Sequence, residues 1–119
     1  MVFAAFVVCR ANWKEFCATT RDDGRIGLPG GKVENGENPW DAAVREAKEE
    51  GWHVQLISKL PIHQQEVDGK IVQWFAATKV RKLSTFKEMG RIKPITVSAQ
   101  KIMDSGFGNE NLKLVSYEV

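Results

Sequence analysis

No stretch of this chain is apolar for long enough to cross a bilayer. The best candidate, Val2 to Val8, runs to about seven residues where a spanning helix needs ~20. It lacks a basic leader and a cleavage-like site, so it reads as a buried strand. Cysteine is scarce. Cys9 and Cys17 stand among apolar neighbours, too few for a disulfide framework or for a metal site with ligands at short spacing, and they read as reduced core thiols of a cytoplasmic protein. An excess of either charge is also missing: the formal net charge of +2 is too small to announce a nucleic-acid partner. His53 and His63 lie on strand-like segments without a ligand partner and receive no role. Repeats, low-complexity tracts and linkers are absent.

What is present suits one domain spanning 1–119. At 43% hydrophobic and 27% charged residues the 119-residue chain has the usual soluble globular mixture, and it is too short for two ordinary cores. Residues 2–9 and 15–20 are β-rich and predict an opening hairpin. Turn material follows at Arg21-Asp22-Asp23-Gly24-Arg25 and Leu28-Pro29-Gly30-Gly31. Asn38 as N-cap, Pro39 at the first position and Asp41 in the first turn predict a helix from Pro39 to about Glu50, stopped by Gly51. Val54 to Ile57, Leu60 to Gln65 and Ile71 to Val80 read as strands, the last two joined through an Asp68-Gly69 turn. Residues 81–94 read as an irregular basic loop, Thr96 to Ser105 as a second helix, and Leu112 to Val119 as a final strand. Hairpins with two helices predict an α+β fold, a mixed β-sheet with helices on its outer faces.

Chemistry concentrates between Gly31 and His53. On the predicted helix Glu46, Glu49 and Glu50 fall within about 100° of one another, beside an apolar stripe of Trp40, Ala43, Val44 and Ala47. Three crowded carboxylates repel and invite a cation, and all-oxygen ligands suit magnesium or manganese rather than zinc. A solvated acidic face with Arg45 pairing Glu49 at i+4 would account for the helix equally well. The loop before it favours the metal reading: Gly30-Gly31 permit close backbone approach to a ligand, and Lys32 offers a cation for phosphate.

Here Gly31, Glu37, Arg45, Glu46, Glu49 and Glu50 match the Nudix box, G-x5-E-x7-R-E-U-x-E-E-x-G-U, at every charged position, over residues 31–53. Six residues at fixed spacing would arise at a given start by chance around once in ten million. The chain thus resembles the Nudix hydrolases, most of all the compact MutT-type nucleoside triphosphate pyrophosphatases. The resemblance implies an α/β/α sandwich whose loop-helix-loop holds Mg2+, or Mn2+ in its place. It implies Glu46, Glu49 and Glu50 as metal ligands, Glu46 as a candidate general base, the Gly30 carbonyl as a further ligand, and Arg45 and Glu37 as orienting residues. Two positions depart from the pattern. Gly51 follows Glu50 directly, with Trp52 where the glycine should be, and Ala47 replaces a larger aliphatic residue.

Outside the box, Glu88 is the only acid between Asp68 and Asp104 and stands either as a further metal ligand or base or as a surface glutamate. Phe107 and Asn109 could stack on and hydrogen-bond a base, or simply form a turn. Trp13, Trp52 and Trp74 read as core or interface residues, and Arg21 and Arg25 as either loop ion pairs or phosphate contacts. Lys79, Arg81, Lys82, Lys87, Arg91 and Lys93 form a basic segment, a solvated face or a surface for an RNA 5′ end. The resemblance accordingly implies hydrolysis of a (d)NTP to monophosphate and pyrophosphate. Val67 to Lys70 carry neither the proline nor the tyrosine that mark ADP-ribose and diadenosine polyphosphate enzymes. The alternatives are an RNA 5′-end pyrophosphohydrolase and a non-catalytic nucleotide- or RNA-binding module. The expected partner is a nucleotide, with nucleic acid not favoured and no membrane.

Overall fold

A computed structural model describes residues 1–105, so the strand expected over Leu112 to Val119 lies outside the described residues. Strand β1 (Val2–Arg10) runs through the middle of a mixed, eight-stranded sheet and pairs in parallel with β7 (Lys70–Lys82), from Val2↔Ile71 to Arg10↔Thr78. Side chains alternate along both strands, as period 2 requires. Ala5, Val7, Cys9, Phe75 and Ala77 share one face with Ala42, Ala43 and Ala47 of α1 (Pro39–Glu49), while Val8 and Trp74 share the other with Ile102 of α2 (Ala99–Asp104). Helices therefore cover both faces, as expected. The three buried alanines let α1 lie close to the sheet, which is what Ala47 in place of a larger residue accomplishes. Ala42 is as fully buried as Ala43 and Ala47, whereas Trp40 and Val44 are only half-buried.

The opening hairpin is looser than its sequence suggests. β1 and β2 (Phe16–Arg21) are in register only at Arg10↔Phe16, after which β2 turns away to pair with β3 (Ile26–Gly27) and β8 (Ile92–Val97). β8 begins inside the segment expected to be an irregular loop and takes Thr96 from the expected helix. Ile92, Ile95, Thr96 and Val97 are β-branched, and β2 supplies a complete partner from Arg21↔Ile92 to Phe16↔Val97. α2 is correspondingly short and is capped by the Ser98 hydroxyl, which accepts from the Lys101 N–H at 3.3 Å. The remaining strands are β4 (Gly30–Lys32), β5 (Trp52–Leu56) and β6 (His63–Val67). β6 joins β7 through Asp68 (φ +51°) and Gly69 (φ +77°), the two left-handed residues that the Asp-Gly signal anticipates.

Among the tryptophans, Trp52 and Trp74 are buried but Trp13 is 80% exposed. It caps the β1–β2 turn, where no layer covers it, with the Lys14 ammonium 4.6 Å from its ring centroid. Cys9 and Cys17 are free, fully buried and 3.6 Å apart at sulfur.

The helix ends support the expected boundaries with one difference. Asn38 occupies the N-cap but its side-chain oxygen accepts no cap bond, and its amide donates to Asp41 Oδ2 at 3.3 Å. Glu50 is the C-cap and Gly51 follows with φ +101°. The glycine stands there because the chain must turn left-handed while a β-carbon would come within 2.6 Å of the Pro94 ring on β8. The early stop delivers Trp52 into the core, where its indole N–H donates to the Ala18 carbonyl at 2.8 Å. Gly51→Ala is therefore expected to destabilise the protein by roughly 1 to 3 kcal/mol, from strain and collision together. Urea unfolding at equilibrium measures this, and an unchanged midpoint would refute it.

Candidate active site

The last turn of α1 carries Glu46, Glu49 and Glu50 toward the start of β4, and two glycines make the approach possible. β4 lies antiparallel to β1 at Ala5↔Gly31 and Phe6↔Gly30. At Gly30 (φ +153°) a β-carbon would run into the Ala5 carbonyl and Phe6, and at Gly31 one would stand 2.5 Å from Glu46 Oε2. Either side chain would push the strand or the carboxylate away.

Arg45 organises the acids on one side. Its Nε donates to Glu37 Oε2 at 2.8 Å, Nη1 to Glu46 Oε1 at 3.0 Å and to Glu49 Oε2 at 3.1 Å, and Nη2 to Glu37 Oε1 and the Lys32 carbonyl, both at 3.0 Å. The guanidinium is thus a hub for three carboxylates and a backbone oxygen. The hydrogen bond from Arg45 draws Glu37 below the usual carboxylate range, and the hydrogen bond to Glu37 does most to raise Arg45. Glu37 Oε1 also accepts from the Glu34 N–H at 3.0 Å, which fixes the loop entering α1. The orienting roles expected of Arg45 and Glu37 have this geometry.

Glu50 has a different environment. It is 5% exposed, and Oε1 accepts the Gly30 N–H at 2.9 Å. Burial pushes its carboxyl up to about 8 despite that hydrogen bond, with the neighbouring charge of Glu46 adding to the rise. Burial also raises Glu46, against the lowering effect of Arg45. Glu88 joins them through its backbone, because its N–H donates to the Glu49 carbonyl at 2.9 Å and ties the β7–β8 loop to the end of α1.

Glu46, Glu50, Glu88, Gly30, Gly31 and Lys32 line one cavity of about 640 Å³ together with Arg21, Arg25, Arg91, Asp22, Asp23 and Ile92. Glu49 does not line it. Its Oε2 accepts from the same Arg45 nitrogen as Glu46 Oε1, and its Oε1 lies 3.8 Å from the Lys87 ammonium. A second cavity of about 370 Å³ adjoins the first, sharing Arg21, Gly30 and Glu50, and is walled by Phe3, Phe6, Leu28, Val72 and Trp74. Phe6 and Trp74 stack at 5.9 Å between centroids. Trp74 is therefore both a buried residue and a wall of this cavity, a role the sequence reading did not assign. Phe3 and Phe6 also escaped notice as site residues, since alternation marks them only as strand residues, whereas Arg21, read as a loop ion pair or a phosphate contact, lines both cavities. Arg25 makes the loop ion pair, 2.8 Å from Asp23, that was one of its two readings. Phe107 and Asn109 lie outside the described residues.

The NUDIX domain model matches residues 2–81. The chain belongs to the Nudix family, and it is an enzyme acting on phosphorus-containing anhydrides. Similar solved structures include a Caenorhabditis elegans Ap4A hydrolase (20% identity, 94% of this chain and 92% of that one, TM-score 0.72). An ADP-ribose pyrophosphatase from Streptococcus suis is similar at 15% identity, with 94% and 87% coverage and a TM-score of 0.74. A MutT from a comparison of Aliivibrio salmonicida and Vibrio cholerae is similar at 21% identity, with 96% and 93% coverage and a TM-score of 0.65. At these identities the likeness is one of fold. A search of curated proteins returns no match.

Among the described residues, no three His, Cys, Asp or Glu side chains are arranged as they would be around a bound metal. The donor chemistry nevertheless fits a hard divalent cation. Glu46, Glu50 and Glu88 bring carboxylate oxygens to one cavity beside the Gly30 backbone, and the raised Glu46 and Glu50 show charge that burial leaves undercompensated.

Without metal, folded Glu50 keeps its proton up to about pH 8, whereas an unfolded glutamate releases it near pH ~4.3. The folded state binds more protons in between, so this residue's contribution to stability falls as pH rises through that window. Glu50→Gln removes the titration while keeping an acceptor for Gly30. Its melting temperature in EDTA is expected to gain on that of the parent from pH ~5 to pH ~8. Parallel curves would overturn this account of Glu50.

Proposed function

We propose that this Nudix domain hydrolyses a nucleoside triphosphate, canonical or oxidised, to the monophosphate and pyrophosphate, with Mg2+ or Mn2+ held by Glu46, Glu50, Glu88 and the Gly30 carbonyl. The observation that carries this reading is the adjoining pair of cavities. One is aromatic and suits a nucleoside; the other is lined by carboxylates and cations and suits metal and phosphates; Arg21, Gly30 and Glu50 stand where they meet. A metal bound there would neutralise diphosphate charge and acidify a water.

The chain's own groups do the rest. Phe6 and Trp74 offer an apolar floor for the base, Lys32 a charge for phosphate, and Arg45 holds Glu46 at 3.0 Å so that a carboxylate faces the reacting centre as general base. Of the basic residues from Lys79 to Lys93, only Arg91 lines the carboxylate cavity among the described residues. This supports the triphosphate reading over an RNA 5′ end.

A screen of the four common deoxynucleoside triphosphates and oxidised guanine triphosphate with magnesium, separating pyrophosphate from phosphate release, tests the reaction. Pyrophosphate from at least one of them is expected, and its absence from all five would refute the proposal. Glu46→Gln and Glu50→Gln are expected to lower kcat by two or more orders of magnitude. Glu49→Gln is expected to cost less, because the Glu49 side chain does not line the cavity and turns to Arg45. Equal losses from all three, with folding intact by thermal melting, would place Glu49 in the metal site after all.

A further inference from the structure

The two cavities impose a direction on the substrate. Phe3, Phe6, Leu28 and Trp74 line only the aromatic cavity, Arg25, Lys32, Glu88 and Arg91 line only the carboxylate cavity, and Arg21, Gly30 and Glu50 line both. A nucleotide whose base lies in the first cavity must run past the shared residues, so its departing group comes to rest at the far wall. Among the described residues that wall has no aromatic side chain on which a second base could stack, and its single large apolar residue is Ile92. Beside the acids Asp22, Asp23, Glu46 and Glu88 it carries three cations, Arg25, Lys32 and Arg91, and a guanidinium next to acids that would hold a metal matches an inorganic phosphate chain better than a second nucleoside or a sugar.

Two arginines stand there, and they differ in prior commitment. Arg25 already pairs with Asp23 at 2.8 Å through the short β2–β3 turn. Among the described residues the Arg91 side chain has a single ion pair, a loose one with Glu88 at 3.8 Å, and it is 76% exposed and able to reorient. Its backbone, by contrast, is held. The Arg91 and Ile92 N–H groups both donate to the Glu88 carbonyl at 2.9 Å, and Glu88 is itself hydrogen-bonded to the end of α1. The loop thus presents a movable guanidinium from a fixed root, next to the acid that would bind metal.

We infer that Arg91 binds the departing phosphate group, and that this far-wall subsite selects substrates whose leaving group is pyrophosphate over those that release a nucleotide or a sugar phosphate. The inference rests on the hydrolase reading above and is testable apart from it. Pyrophosphate and a nucleoside monophosphate are each titrated calorimetrically into the parent, Arg91→Ala, Arg91→Lys and Arg81→Ala proteins in saturating magnesium. Arg81 lies on β7 and lines neither cavity, so it controls for loss of general positive charge.

Arg91→Ala is expected to weaken pyrophosphate about tenfold or more while leaving the monophosphate unchanged, with Arg91→Lys intermediate and Arg81→Ala like the parent. In turnover the same variant is expected to lose product inhibition by pyrophosphate by a similar factor. Unchanged pyrophosphate affinity in Arg91→Ala, equal weakening of both products, or a parent that binds no pyrophosphate would each overturn the assignment. Failure to hydrolyse any triphosphate would instead remove the proposed reaction, and the pyrophosphate titration would still decide Arg91.

Discussion

The site depends on how closely α1 can approach the sheet, and that distance is set by groups too small to get in the way. Gly30 and Gly31 on β4 leave room for the Ala5 carbonyl and the Glu46 carboxylate, and Ala42, Ala43 and Ala47 bring the helix down onto β1 and β7. A side chain at Gly30 would collide with β1, and one at Gly31 with the Glu46 carboxylate. The same contact buries Glu50 and hands it the Gly30 N–H. Packing and reactivity therefore have one cause here: the closeness that seals the helix against the sheet also desolvates the carboxyl that a cation would then compensate.

Arg45 answers the opposite problem. Glu37, Glu46 and Glu49 would repel at these separations, and one planar guanidinium satisfies all three within 3.1 Å while bonding the Lys32 carbonyl. A lysine could not do so, having no rigid fork with which to reach four acceptors in fixed directions. The division of labour among the acids follows. Glu37, which takes two of the Arg45 hydrogen bonds, and Glu49 lie outside the cavity lining, Glu46 takes one and lines it, and Glu50, to which Arg45 makes no hydrogen bond, is the most deeply buried.

Local signals served well wherever chemistry was local. Asn38, Pro39 and Gly51 bounded α1 within a residue, Asp68-Gly69 produced its turn, and alternation identified β1 and β7. They served poorly where a distant partner decided. β8 was taken for loop and helix because Lys93 and Pro94 disguise a strand whose reason for existing is the unpaired edge of β2. Trp13 shares its residue type with Trp52 and Trp74 but sits on the turn between the two opening strands, which no layer covers, so residue type misleads where position in the hairpin decides.

The chain alone determined the family and its box, because six side chains at fixed helical and loop spacing are a statement about one short segment. It also determined the fold class, since period and punctuation are properties of neighbouring residues. Tertiary structure alone decided which acids share a cavity, turning Glu49 toward Arg45 and bringing Glu88 in from a loop 38 positions beyond Glu50. It alone assembled Phe3, Phe6 and Trp74 beside them, from two strands whose parallel pairing joins residues about 70 positions apart. Spacing fixes what one helix can present, but which side chains face a common space is set by packing, and packing is a sum over contacts that no local stretch contains.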